Sequence, residues 1–278
     1  MNPKTKTFFS HAGVHTVLMI YTLIALFPTL LIVMNSTKAR LSIFGAPLEP
    51  PLPSTFDLVG YQTVFSSAHF EQYFLNSLIV TIISLVLILS SSAMASFALA
   101  EYDFRGNPLL GIYLAIGIMV PIRLGTVSLL KMMVALGINN TLFALILVYV
   151  ASGIPLAVFV LTAFFKTIPK ELKDAARIDG ASEYRVFWLV LPLVRPALGT
   201  VAIFNMIPVW NDLWFPLILA PLESTKTVIL GAQVFLGQFI SDWNAVLAAL
   251  TLAVLPILVL YIIFSRQLIR GLTQGAVK

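Results

Sequence analysis

The stretch KDAARIDGA, residues 173–181, sets Lys173, Asp174, Arg177 and Asp179 around the small residues Ala175, Ala176, Gly180 and Ala181. The whole chain is 59% hydrophobic and 10% charged. In it, such a patch suits close docking of another protein: small side chains admit its surface and the rim of charges fixes its register. The alternative is a loop that is polar only because it faces water. A second set is Asn205, Trp210, Asn211 and Asp212. Asn205 and Asp212 are seven residues apart, hence on one helical face. Amide, carboxylate and indole together supply the hydrogen bonds and aromatic surface that carbohydrate sites use. An acid in or near a membrane span is a functional candidate by default. The alternative places Asp212 near the outer interface, hydrogen-bonded within a bundle, with Trp210 and Trp214 as belt anchors.

Catalytic readings fail on inventory. The chain has no cysteine, so it offers no disulfide, thiolate ligand or thiol nucleophile. His11 and His15 can share a helical face, but no carboxylate accompanies them as a further metal ligand, and an amphipathic entrance to the first span accounts for both. His69 stands alone, and no expected span holds the histidine that an intramembrane serine protease needs. There is no G-x-x-x-x-G-K-[ST] loop to cradle phosphates. Energy for any work must come from elsewhere.

The elements that position these residues are membrane helices. A mean hydropathy of +0.97 lies far outside the range of soluble domains, and six apolar runs approach the roughly 20 residues that cross a bilayer. They lie at about 17–34, 74–99, 109–130, 142–165, 197–219 and 246–264, within one transmembrane domain covering 1–278. The run at 109–130 is interrupted by Pro121 and Arg123. The first run is long enough to span and lacks a small-x-small cleavage site, so it is expected to be retained. With the N-terminus inside, only Lys38, Arg40, Arg123, Lys131 and Lys226 of the 17 basic residues fall outside. That bias predicts cytoplasmic N- and C-termini and an even number of spans. It also explains a pI near 9.5 without nucleic acid.

KDAARIDGA then falls in a cytoplasmic loop, 166–195, whose punctuation predicts two short helices. Thr167 is a candidate cap, Pro169 fits a first turn, and Glu171 and Asp174 suit the positive end of a helix dipole. Gly180 ends the first helix, since the position after a helix commonly requires a left-handed residue. The second starts near Ser182. Its aromatic weight predicts an interfacial position, and Pro192 and Pro196 are expected to redirect the chain into the fifth span. On the second span, Ser77, Thr81, Ser84 and Ser91, with the small-residue run 90–95, predict close helix packing. The proline-rich segment 35–73 is expected outside, where it could touch a binding protein.

PKELKDAARIDGASEYRVFWLVLPLVRPAL resembles the EAA coupling loop of permease subunits of bacterial ATP-binding-cassette importers. It is most similar to the second permease of the maltose and glycerol-phosphate type. WNDLWFPLIL at 210–219 and RGLTQGAVK at the C-terminus agree with it, and with the six spans the resemblance covers nearly the whole chain. Asp174 stands where the family usually has Glu, and the interval from Gly180 to Pro192 is one residue shorter than the usual pattern.

The resemblance implies an all-α type I importer permease in the bacterial inner membrane, with no enzymatic activity and no cofactor of its own. ATP and Mg would be bound by two partner ATPase subunits, one of which receives the helix carrying Lys173, Asp174, Ala175, Ala176, Arg177, Asp179, Gly180 and Ala181. The other implied partners are a homologous second permease and an extracytoplasmic solute-binding protein that delivers a sugar. The C-terminal GLTQGAVK would reach the ATPase interface. Two other functions stay open on the residues alone. An ion-driven secondary transporter would more often bury charge in several spans, and a non-transporting scaffold leaves the docking patch unexplained.

Overall fold

The computed structural model describes residues 3–67, 69–236 and 241–276, and every regular element among them is a helix. In chain order these are α1 (Pro3–Asn35), α2 (Arg40–Gly45), α3 (Val59–Ser67), α4 (Phe70–Glu101), α5 (Asn107–Met119), α6 (Thr126–Ala135) and α7 (Leu142–Phe165). Then come α8 (Lys170–Ile178), α9 (Glu183–Val190), α10 (Arg195–Trp210), α11 (Trp214–Leu219), α12 (Val228–Ala232) and α13 (Trp243–Ala276). The chain forms two compact units, 1–69 with 232–254 and 70–231 with 255–278.

In the first unit a buried lysine organises the segment after α1. Lys38 is 1% exposed, and its ammonium donates to Asn35 Oδ1 at 2.9 Å and to the Ala46 carbonyl at 2.9 Å. Asn35 in turn donates to the Pro47 carbonyl at 2.9 Å, and Asn244 donates to the Lys38 carbonyl at 2.7 Å. A buried ammonium is tolerated when its donors are satisfied, and here neutral oxygens do that work.

The second unit is built on α4, which packs along α7 and crosses α10. Without a hydrophobic drive between helices in lipid, close backbone approach holds such bundles together. Gly153 of α7 marks the crossing: a Cβ there would lie 2.4 Å from Asn205 Oδ1 and 2.5 Å from Ile88 Cδ1. The packed face of α4 carries Ser77, Thr81, Ser84, Ser92 and Ser96, all buried. Ser91, expected on this face, is instead exposed and donates to the Leu87 carbonyl at 2.5 Å, while the buried row continues in steps of four through Ser84, Ile88, Ser92 and Ser96.

The spans differ from expectation in three places. Among the described residues, four helical segments are long and apolar enough to cross a membrane: Gly13–Asn35, Phe70–Glu101, Leu142–Phe165 and Glu183–Trp210. The run at 109–130 is two helices bent by 81°, broken where Pro121 removes a backbone donor and holds Val120 extended. Pro192 and Pro196 do not redirect the chain. Each sits in the first turn of the next helical segment, where a missing N–H costs nothing, so the path runs on from α9 to α10. That span ends at Trp210 rather than 219, and α13 runs through the expected apolar stretch 246–264, of which Trp243–Val259 is apolar helix among the described residues.

Candidate functional site

The first candidate site is α8 and its surroundings. Pro169 stands at its N-cap position, while the Thr167 hydroxyl donates back to the Phe164 carbonyl at 2.7 Å and so closes α7 instead of capping α8. At the other end the Ala181 amide donates to the Ala176 carbonyl and the Gly180 amide to the Arg177 carbonyl, both at 3.0 Å. This paired closure requires the left-handed residue that Gly180 provides at φ +80°. Ala176 and Ala181 pack on a core that includes Phe97, Phe165, Val186 and Val190.

The charges of α8 do not all point outward. Lys173 and Arg177 both pair with Glu101, the last residue of α4, whose side chain is 6% exposed. Arg177 Nη2 lies 2.7 Å from Glu101 Oε1, Nη1 lies 2.9 Å from Asp174 Oδ1, and Nε lies 2.9 Å from Glu183 Oε1. The Tyr102 hydroxyl donates to Glu183 Oε2 at 2.5 Å. Hydrogen bonding to Glu183 and then to Glu101 raises the Arg177 guanidinium above its already high pKa, so it remains a cation throughout the physiological range. Burial, followed by the Glu183 carboxylate, pushes the Tyr102 phenol up to about 12, which keeps it a donor.

What α8 presents to its surroundings is partly apolar. Ile178 is 85% exposed, Leu172 is 40% exposed, and Glu171, Ala175, Asp179 and Gly180 are exposed beside them. Spaced three residues apart, Leu172, Ala175 and Ile178 form one stripe. The C-terminal GLTQGAVK continues α13 as far as Ala276, and its side chains lie outside the described residues.

The second candidate site is a cavity of 260 Å³ that Asn205 and Asp212 line together with Arg123, Tyr149, Ser152, Phe204 and Phe215. Asp212 is buried and fully engaged. It accepts from the Tyr149 hydroxyl at 2.9 Å, from the Trp214 and Phe215 amides at 3.1 Å each, and pairs with Arg123 at 3.4 Å. It therefore caps α11, as acids do at a helix start. Asn205 donates back to the Val201 carbonyl at 2.9 Å, which leaves its oxygen at the Gly153 crossing. The cavity does not gather the other two expected residues. Trp210 meets Phe74 edge-on at 5.7 Å on another groove, and Asn211 is exposed and donates to the Ile207 carbonyl at 3.0 Å. Trp214 donates to Thr126 at 3.0 Å, which anchors it to α6.

Residues 92–274 match the family of binding-protein-dependent transport system inner membrane components. The diacetylchitobiose uptake system permease protein of Streptomyces coelicolor is 32% identical over 94% of this chain and 87% of its own length. The trehalose transport system permease protein of Mycobacterium tuberculosis is 35% identical over 91% and 93%. An arabinooligosaccharides transport system permease protein of Halalkalibacterium halodurans is 33% identical over 92% of both. A chain of a bacterial ATP-binding-cassette transporter involved in importing the acidic polysaccharide alginate superposes with a TM-score of 0.81 at 20% identity, covering 96% of this chain and 98% of that one. The helical architecture and the sequence agree: the chain belongs to the family of binding-protein-dependent transport system inner membrane components and is a membrane permease.

Proposed function

We propose that the chain is the permease subunit of an importer for a carbohydrate, an oligosaccharide or polyol, driven by ATP hydrolysis on partner subunits. The observation that carries this reading is the inverted polarity of α8. Lys173 and Arg177 turn inward to Glu101, while among the described residues Leu172, Ala175 and Ile178 are left exposed. A helix that shows its apolar stripe outward is built for a protein partner, and in this proposal the partner is the ATPase subunit. Relatives named for diacetylchitobiose, trehalose and arabinooligosaccharides support the substrate class.

In this reading the four long helices, the bent pair α5 and α6, and α13 make six spans, with both termini and α8 in the cytoplasm. A homologous permease completes the pathway and a solute-binding protein delivers the sugar. Asn205 and Asp212 face the path, Asp212 by holding Arg123 and Tyr149 at its wall, with Trp210 and Asn211 flanking. ATP and Mg stay on the ATPase.

The test is co-purification of the ATPase with solubilised permease pairs carrying Ala175→Trp or Ile178→Asp. Both residues are exposed, so the permeases should still insert while the ATPase is lost. Retention in both variants would move docking elsewhere. Sugar uptake that survives ATP depletion and collapses with a protonophore would replace the importer with an ion-driven carrier.

A further inference from the structure

We propose that Glu101 is a positioning residue of the transport cycle: its carboxylate is the joint through which movement of α8 is delivered to α4. This rests on the reading of α8 as the element that meets the ATPase.

The geometry is a two-point attachment. Lys173 and Arg177 are one helical turn apart on the same face of α8, and each takes a different oxygen of Glu101. A single ion pair would act as a swivel, whereas two pairs to one buried carboxylate resist rotation as well as separation. Arg177 extends the joint to Asp174 and Glu183, and Glu183 accepts from Tyr102, the residue after Glu101. The end of α4, α8 and the start of α9 are thereby closed into one ring of charge-assisted bonds.

Apolar packing does not do this work for α8. Ile178 and Leu172 face outward, and of the helix's alanines only Ala176 packs on the core. The side chains of Glu101 and Lys173 are 6% and 8% exposed. Ions this buried persist only with excellent pairing, and removing one partner strands the other. From Glu101 the path inward is stiff, because α4 packs along α7 and meets α10 at the Gly153 crossing.

The test uses the assembled complex of both permeases, ATPase and binding protein in lipid. The chain has no cysteine, so Met94→Cys, at an exposed position of α4, accepts a single spin label. The variants are Glu101→Gln, Glu101→Lys and the exchange Glu101→Lys with Lys173→Glu. Two quantities are read: co-purification of the ATPase, and the change in label spectrum on adding ATP. The expected result is undiminished co-purification with all three, an ATP response at residue 94 reduced on the order of tenfold in the single variants, and its recovery in the exchange. An unchanged response in Glu101→Lys overturns the proposal. So does a response lost equally in the single variant and the exchange, which would make Glu101 a fold residue only. Failure of the unaltered complex to retain the ATPase would instead overturn the docking reading, and this proposal with it.

Discussion

The Tyr149 hydroxyl donates to the Asp212 carboxylate at 2.9 Å, joining the middle of α7 to the linker between α10 and α11. With two backbone amides and Arg123 on the same carboxylate, Asp212 holds the wall of the cavity before it can meet any solute. Asp212→Ala should therefore destabilise the purified permease pair by about 2 kcal/mol or more, from a lost cap and stranded donors, seen as a lower Tm in detergent. Tyr149→Phe should cost about 1.5 kcal/mol. A Tm unchanged in both would return Asp212 to a pure substrate contact.

Gly153 allows α4, α7 and α10 to meet. Gly153→Ala places a Cβ within 2.5 Å of both Asn205 and Ile88 and should cost about 1–3 kcal/mol by overpacking. Gly111→Ala, which meets nothing within 4 Å, should be neutral or slightly stabilising. Thermal unfolding of the two variants side by side checks the contrast.

Gly180 sits at φ +80° with open space where a Cβ would go, so the cost of replacing it is conformational and not steric. Gly180→Val should strain the end of α8 by about 1–2 kcal/mol and weaken ATPase co-purification. Gly180→Asn should be milder because Asn tolerates the left-handed region. Equal losses would show that space, and not backbone conformation, limits the site.

Lys38→Met removes a buried donor from Asn35 and the Ala46 carbonyl and should cost about 1–3 kcal/mol locally. Limited proteolysis should then cut within residues 39–58 faster than in the parent chain. An unchanged cleavage rate would mean that the segment holds itself without the ammonium.

The placing of α8 and α9 was legible because their signals are local: Pro169 at a start, Gly180 at a stop and Ser182 before the next start. The orientation of α8 was not, because the rule that apolar side chains turn inward assumes that the partner is the chain itself. Leu172 and Ile178 break it. The partner of Lys173 and Arg177 was missed although a signal existed, since Glu101 is an acid that closes a long apolar run and Lys173 follows 72 positions later. Pro121 and Arg123 marked an interruption of the run at 109–130, but not that Arg123 pairs with Asp212, a residue 89 positions away. The α9 to α10 junction was misjudged because proline breaks a helix interior but not a first turn, and composition does not say which turn a proline occupies.

The bond between Asn244 and the Lys38 carbonyl spans 206 positions, and it carries a consequence for biogenesis. The first unit is assembled from residues 1–69 and 232–254, with all of 70–231 synthesised between them. At about 5–20 residues per second, the segment around Lys38 waits on the order of ten seconds or more after leaving the ribosome before Asn244 exists to meet it. During that interval its proline-rich stretch is an unfinished structure. The segment around Lys38 thus stays incomplete through most of synthesis, and is exposed to quality-control proteases when synthesis stalls before Asn244.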